Sequence, residues 1–101
     1  MQPLFSRKVL AFVRRIPAGR VSTYGSIARK LGTHAYRAVG AALACNEDLQ
    51  KTPCYRVVRS DGSLGGYVLG KAEKARRLRR DGIRVSRGKI VDFDKVVYSF
   101  K

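Results

Sequence analysis

Between Val21 and Ala44 the chain carries two short apolar stripes at helical spacing with a single glycine between them, and this stretch constrains the fold more than any other. Ser22 and Thr23 are both good N-cap residues. Behind them Tyr24, Ile27, Ala28 and Leu31 share one helical face, and Gly32 ends the helix. Ala35, Ala38, Val39, Ala42 and Leu43 form the inward stripe of the next helix, with Thr33 as its cap. Two short helices joined by a tight glycine-containing turn read as a helix-turn-helix.

The flanking segments extend that unit. Phe5, Val9, Leu10, Phe12, Val13 and Ile16 recur at helical spacing among basic residues, and Pro17-Ala18-Gly19 closes this first helix. Downstream, Lys71 to Asp81 reads as a helix with Ala72, Ala75 and Leu78 inward and Lys71, Lys74, Arg76, Arg77, Arg79 and Arg80 outward. Gly82 followed by Ile83 resembles a helix stop with its apolar follow-on contact. Ile83 and Val85 alternate with polar residues, Arg87-Gly88-Lys89 turns, and Ile90 to Phe100 is β-like, so the C-terminus reads as a hairpin or small sheet. The expected class is mainly α with a small β element, a winged helix-turn-helix-like arrangement in one domain over residues 1–101.

Charge narrows the partner. Lys and Arg number 22 against 7 Asp and Glu, a net charge of +15. Such an excess opposes compaction unless a polyanion neutralises it, which puts nucleic acid ahead of a merely solvated basic surface. With 45% hydrophobic residues and no low-complexity stretch, the chain reads as a globule and not a basic tail. No apolar run approaches the about 20 residues that span a bilayer, and there is no signal-peptide pattern. An intracellular monomer without a membrane partner is expected, cytoplasmic and nucleoid-associated or nuclear. The inward-opposite face of the second helix-turn-helix helix offers Gly40, Ala41 and Ala44, with Arg37 at its start and no array of base-reading side chains. A small, smooth face admits close backbone approach to a narrow groove with Arg37 inserted in the stack; close helix packing is the plainer use of the same residues.

Pro53-Cys54-Tyr55-Arg56-Val57-Val58 holds one thiol in an apolar run. A cysteine so placed is either a small buried hydrophobe or a nucleophile, and Lys51, Arg56 and Arg59 supply a field favouring thiolate. Cys45 and Cys54 form no CxxC pair and have no histidine cluster beside them, so a structural zinc site has no ligand set, and thiolate displacement, if that is the chemistry, requires no metal or redox cofactor. Gly65-Gly66-Tyr67 with Gly70 is a glycine-rich loop that meets neither the GxxxxGK[ST] nor the GxGxxG spacing of phosphate loops.

Taken in order, Ile16-Pro17-Ala18-Gly19-Arg20-Val21-Ser22-Thr23-Tyr24-Gly25, Arg37-Ala38-Val39-Gly40, Asn46, Pro53-Cys54-Tyr55-Arg56-Val57 and Gly66-Tyr67 resemble the DNA-binding domain of O6-alkylguanine-DNA alkyltransferases over roughly residues 5 to 85. The resemblance implies minor-groove docking on double-stranded DNA, extrusion of the damaged guanine and irreversible transfer of its alkyl group to Cys54. It further implies that Tyr24 rotates the nucleotide and donates a proton, that Arg37 fills the vacated stack, and that Asn46 braces the active-site turn. Ala38, Gly40, Ala41 and Arg56 join the DNA contacts, and Gly66, Tyr67 and Val57 wall the lesion pocket. The chain departs from the family where Tyr55 replaces the histidine, and Asp81 the glutamate, of a proton relay; a phenol is a poor base at neutral pH. Its length and C-terminal extension resemble the alkyltransferase-like proteins, which bind such lesions without repairing them but typically carry Trp or Ala at position 54. A winged-helix transcription factor is the alternative from another class.

Overall fold

The computed structural model describes residues 3–100. Helix α1, Leu4–Arg14, buries Val9, Leu10 and Val13 and leaves Arg7, Lys8, Arg14 and Arg15 outside. A two-residue strand β1, Ser22–Thr23, leads straight into α2, Tyr24–Lys30. Thr23 caps α2, its hydroxyl accepting from the Ser26 amide at 3.0 Å. Helix α3, Tyr36–Ala44, follows after the Gly32 turn and lies against both α1 and α2. Its buried residues are Val39, Ala42 and Leu43.

Here the sequence expectation needs correcting. Ala35 and Ala38 are exposed, and Thr33 does not cap α3, whose N-cap position is Ala35 with no side-chain bond. The helix starts one residue later than the stripe implied, so its inward face begins at Val39.

A 3₁₀ turn, Cys54–Arg56, runs into β2, Val57–Val58, which pairs in parallel with β1 in the register Ser22 with Val57 and Thr23 with Val58. This short ladder joins the start of the helix-turn-helix to the strand that follows the cysteine turn, pairing residues 35 positions apart. Helix α4, Lys71–Arg80, packs behind the turn. Gly82 at φ +92° ends it, with the Ile83 amide bonding the Leu78 carbonyl at 3.0 Å and Ile83 buried, as the glycine signal implied.

After α4 a hairpin of β3, Val85–Ser86, and β4, Lys89–Ile90, turns at Arg87-Gly88. The rest of the C-terminal segment is not β throughout, as its alternation suggested. Helix α5, Phe93–Val96, interrupts it, and only Val97 bridges in parallel to Val21. That bridge matters more than its length: Val21 donates to Val96 O at 2.9 Å and accepts from Tyr98 at 2.7 Å. Phe100 then seats edge-on against Phe12 of α1 at 5.1 Å and is buried.

Two apolar clusters result. One gathers α1, α2, α3, Cys54, Val57 and Phe100; the other gathers Val21, Tyr55, Val58, Leu64, Ala75, Leu78, Ile83 and Ile90. Between them runs Lys74, expected to point outward but fully buried. Its ammonium donates to Val57 O at 2.7 Å and Gly66 O at 3.0 Å, tying α4 to β2 and to the glycine-rich loop. The inward face of α4 is thus Lys74, Ala75 and Leu78, and Ala72 is exposed.

Burial pulls the Lys74 pKa from 10.5 down to about 8, with Arg59 and Lys71 adding to the fall and Cys54 opposing it. The unfolded chain therefore binds more protons than the folded one between those values. Stability should rise with pH across that window, by about 3 kcal/mol at most, and be flat below it. Urea unfolding of wild type and Lys74→Met from pH 7 to 10.5 checks this: the stability difference between them should shift toward wild type above pH 8, and parallel curves would contradict it.

Candidate nucleic-acid and alkyl-transfer site

The segment before the cysteine is held from three sides. The Asp48 carboxylate accepts from the amides of Gln50 and Lys51, which coils the chain after α3. Asn46 donates its side-chain amide to Thr52 O at 2.8 Å, and the same carbonyl accepts from the Cys54 amide at 2.9 Å. Arg14 of α1 donates to the Thr52 hydroxyl at 2.8 Å. Asn46 is not the C-cap of α3, which is Cys45, but it does bond the turn that carries Cys54.

Cys54 opens the 3₁₀ turn, 5% exposed, at the edge of a cavity of about 1150 Å³. The walls come from α2 with Tyr24 and Arg29, from α3 with Arg37 and Gly40, and from the loop with Gly65, Gly66 and Tyr67. Sequence positions some 40 residues apart are thus brought to one opening, because the β1–β2 ladder sets Tyr24 beside the turn after Pro53. Neither Cys45 nor Cys54 is in a disulfide. No His/Cys/Asp/Glu group among the described residues could hold a metal ion.

Tyr24 and Tyr67 flank the thiol with different chemistry. Burial raises the Tyr24 pKa, Arg59 pulls it back, and charge on Cys54 adds to the rise, so the phenol stays protonated near neutrality. Its oxygen lies 3.4 Å from Lys74 Nζ. Tyr67 is also raised, first by burial, and its buried hydroxyl has no hydrogen-bonding partner among the described residues. Arg77 sits over its ring at 5.8 Å. Gly65, at φ +72°, lies so close to Tyr24 that a Cβ there would stand 2.9 Å from the phenolic oxygen.

The remaining expected residues fall elsewhere. Tyr55 points away from the cavity into the second cluster, where its hydroxyl donates to Asp81 Oδ2 at 2.8 Å. Arg56 donates to the same oxygen at 3.0 Å, to Ile16 O at 2.9 Å and to Tyr55 at 3.1 Å, with its plane over the Tyr55 ring at 5.2 Å. Each guanidinium nitrogen of Arg56 thus has a bond inside the protein, and its side chain is 16% exposed. Val57 is a core side chain and does not line the cavity; its carbonyl, held by Lys74, is its link to the site. Ala38 and Ala41 are exposed on α3 but outside the cavity wall.

Two residues escaped the sequence reading. Lys74 could have been found from its i, i+4 spacing to Leu78, which places it on the buried face, but its charge argued the other way. Gly65 was masked by its neighbour Gly66, and only the approach of Tyr24 separates their roles.

Residues 4–83 match the family described as the DNA-binding domain of 6-O-methylguanine DNA methyltransferase. A bifunctional methyltransferase/endonuclease of Picrophilus torridus is 54% identical over 77 residues, 75% of this chain and 26% of the relative. The methylated-DNA–protein-cysteine methyltransferase of Methanopyrus kandleri is 48% identical over 81 residues, 80% of this chain and 60% of the relative. The chain therefore spans about a quarter of the first relative's length and somewhat under two thirds of the second's. Among solved structures, S. pombe Atl1 in complex with damaged DNA containing O6-carboxymethylguanine superposes with a TM-score of 0.84 at 29% identity, over 98% of this chain and 99% of that one. With 80 consecutive positions matched and the same helix-turn-helix-like, mainly α fold, the chain belongs to the family of 6-O-methylguanine DNA methyltransferase DNA-binding domains.

Proposed function

We propose that the chain docks on double-stranded DNA through α2 and α3, receives an O6-alkylguanine in the cavity beside Cys54, and takes the alkyl group onto that thiol once. The observation that carries this reading is the placement of Cys54 at the edge of a cavity of about 1150 Å³, roomy enough for an extruded nucleotide, beside a protonated tyrosine and a buried lysine. Arg29, Arg37 and Arg59 on the cavity wall favour an anionic backbone around its mouth, with Asp61 the acidic side chain among the lining residues. Docking of this kind is electrostatic and sequence-tolerant, which is why the smooth face of α3 and not a base-reading array suits it. A transcription factor reading one defined site gains no support from α3.

The chemistry is a displacement at carbon. A bond forms from Cys54 Sγ to the alkyl carbon, the C–O6 bond breaks, and its electron pair stays on the guanine. Tyr24 gives the base a proton, and the Lys74 ammonium replaces it across 3.4 Å. The thiol proton, released to solvent or to neutral Lys74, closes the balance. A lysine with a pKa of about 8 exchanges its proton readily near neutral pH. No step uses a cofactor.

Tyr55 takes no part in this scheme. Its hydroxyl is already a donor to Asp81, directly and without an intervening group, and Arg56 completes the pair. The Asp81 side chain is 9% exposed, so the triad is an internal brace between the turn and the end of α4. This same arrangement supports the second reading, a lesion-binding protein that does not transfer. So does the near-complete overlap with S. pombe Atl1.

Nucleoside analysis of the DNA separates the two. Incubation of excess protein with an O6-methylguanine duplex should convert the lesion to guanine with one equivalent consumed per lesion, Cys54→Ser should abolish conversion, and Cys45→Ser should not. Tight binding with the lesion intact in wild type would establish the sensor. Tyr55→Phe should cost about 1 to 2 kcal/mol of stability through the lost buried bond. Its single-turnover rate should stay within about twofold of wild type. A large rate loss with unchanged stability would put Tyr55 back into proton transfer.

A further inference from the structure

Large apolar side chains that are well exposed among the described residues are Leu4, Tyr36, Val68 and Leu69. Scattered exposed apolar groups are ordinary, but Tyr36 and Val68 both line the cavity, one from the start of α3 and the other from the loop after Tyr67. Tyr36 immediately precedes Arg37 and is 54% exposed. Its ring enters no ring or cation contact among the described residues, whereas Tyr24, Tyr55, Tyr67 and Tyr98 each engage one. An aromatic left unpartnered at the mouth of a basic cavity is held ready for a planar group brought by an anionic polymer. The arginines of the wall select that polymer over an apolar protein surface.

We propose that Tyr36 is a second wedge on the DNA, its ring stacking on the base that flanks the displaced nucleotide while Arg37 occupies the gap beside it. The inference rests on the docking reading above and adds a contact that reading does not need. Adjacent helical positions diverge by roughly 100°, so the two side chains reach different parts of the opened step and do not compete for one space. Stacking is made through the ring face and is indifferent to base identity, which fits a protein that must act in any sequence. The phenolic hydroxyl has no part in it, and this distinguishes a wedge from a polar groove contact.

Fluorescence titration of labelled duplexes with and without O6-methylguanine tests it, using wild type, Tyr36→Ala, Tyr36→Phe and Arg37→Ala at one salt concentration. Because the side chain is exposed, Tyr36→Ala should unfold at the wild-type temperature. It should bind the lesion duplex about tenfold more weakly and the undamaged duplex almost unchanged, and Tyr36→Phe should restore lesion binding. With 2-aminopurine as the flanking base, the Tyr36→Ala complex should be brighter than the wild-type complex. Equal losses on both duplexes, an equal loss in Tyr36→Phe, or no loss at all would each overturn the wedge. If Arg37→Ala loses lesion preference while Tyr36→Ala keeps it, Tyr36 alone falls. If wild type shows no preference for the lesion, the docking reading falls and takes this one with it.

Discussion

A buried ammonium is the interaction on which the rest of this structure depends. Lys74 is fully enclosed, and its ammonium reaches a strand carbonyl at Val57, a loop carbonyl at Gly66 and the phenol of Tyr24. Burying a charge is costly unless every donor is used, and here the donors go to groups that themselves need partners. The consequence is geometric: α4, the strand after Cys54, the glycine-rich loop and the first residue of α2 are tied at one point. The consequence is also electrostatic. Burial of the ammonium beside Tyr24 lowers its pKa to about 8, close enough to neutrality for it to exchange a proton there.

Much of the fold was legible because the signals were local. The Thr23 cap, the Gly32 and Gly82 stops and the α1 stripe are short-range features that backbone sterics and hydrogen-bond accounting decide almost alone. What failed was decided by distant contacts. Ile90 to Phe100 alternates like a strand, yet beyond Ile90, which pairs with Val85, its bridge is Val97 to Val21, and the segment spends the rest of its length folding α5 and delivering Phe100 to α1. Ala35 and Ala38 look apolar enough for a core, but the turn after Gly32 rotates α3 so that Val39 leads its buried face. Small residues carry little orientational information, because hiding them gains little.

The candidate site divides the same way. Tyr24, Arg37, Gly40, Cys54, Gly66 and Tyr67 come together at one cavity. Tyr55, Asp81 and Arg56 were expected at the chemistry and at the DNA, yet they form a closed triad on the far side of the turn. Sequence could place these three near the cysteine. It could not say which way a 3₁₀ turn would aim them, since successive residues on so tight a turn diverge by about 120°. The triad bonds Tyr55 and Arg56, and Lys74 bonds the Val57 carbonyl, so the segment that begins at Cys54 is fixed by both.

If Lys74 both shapes the cavity and resupplies the Tyr24 proton, the destination and the speed of the methyl group depend on it together. Peptide mass spectrometry after timed incubation with an O6-methylguanine duplex, comparing wild type with Lys74→Met under conditions where both are folded and bound, is the most direct measurement. The account predicts methyl on Cys54 and not Cys45 in wild type, with Lys74→Met unmodified at times when wild type is complete. Equal Cys54 methylation in both proteins, or a methyl found on any other residue, would contradict it.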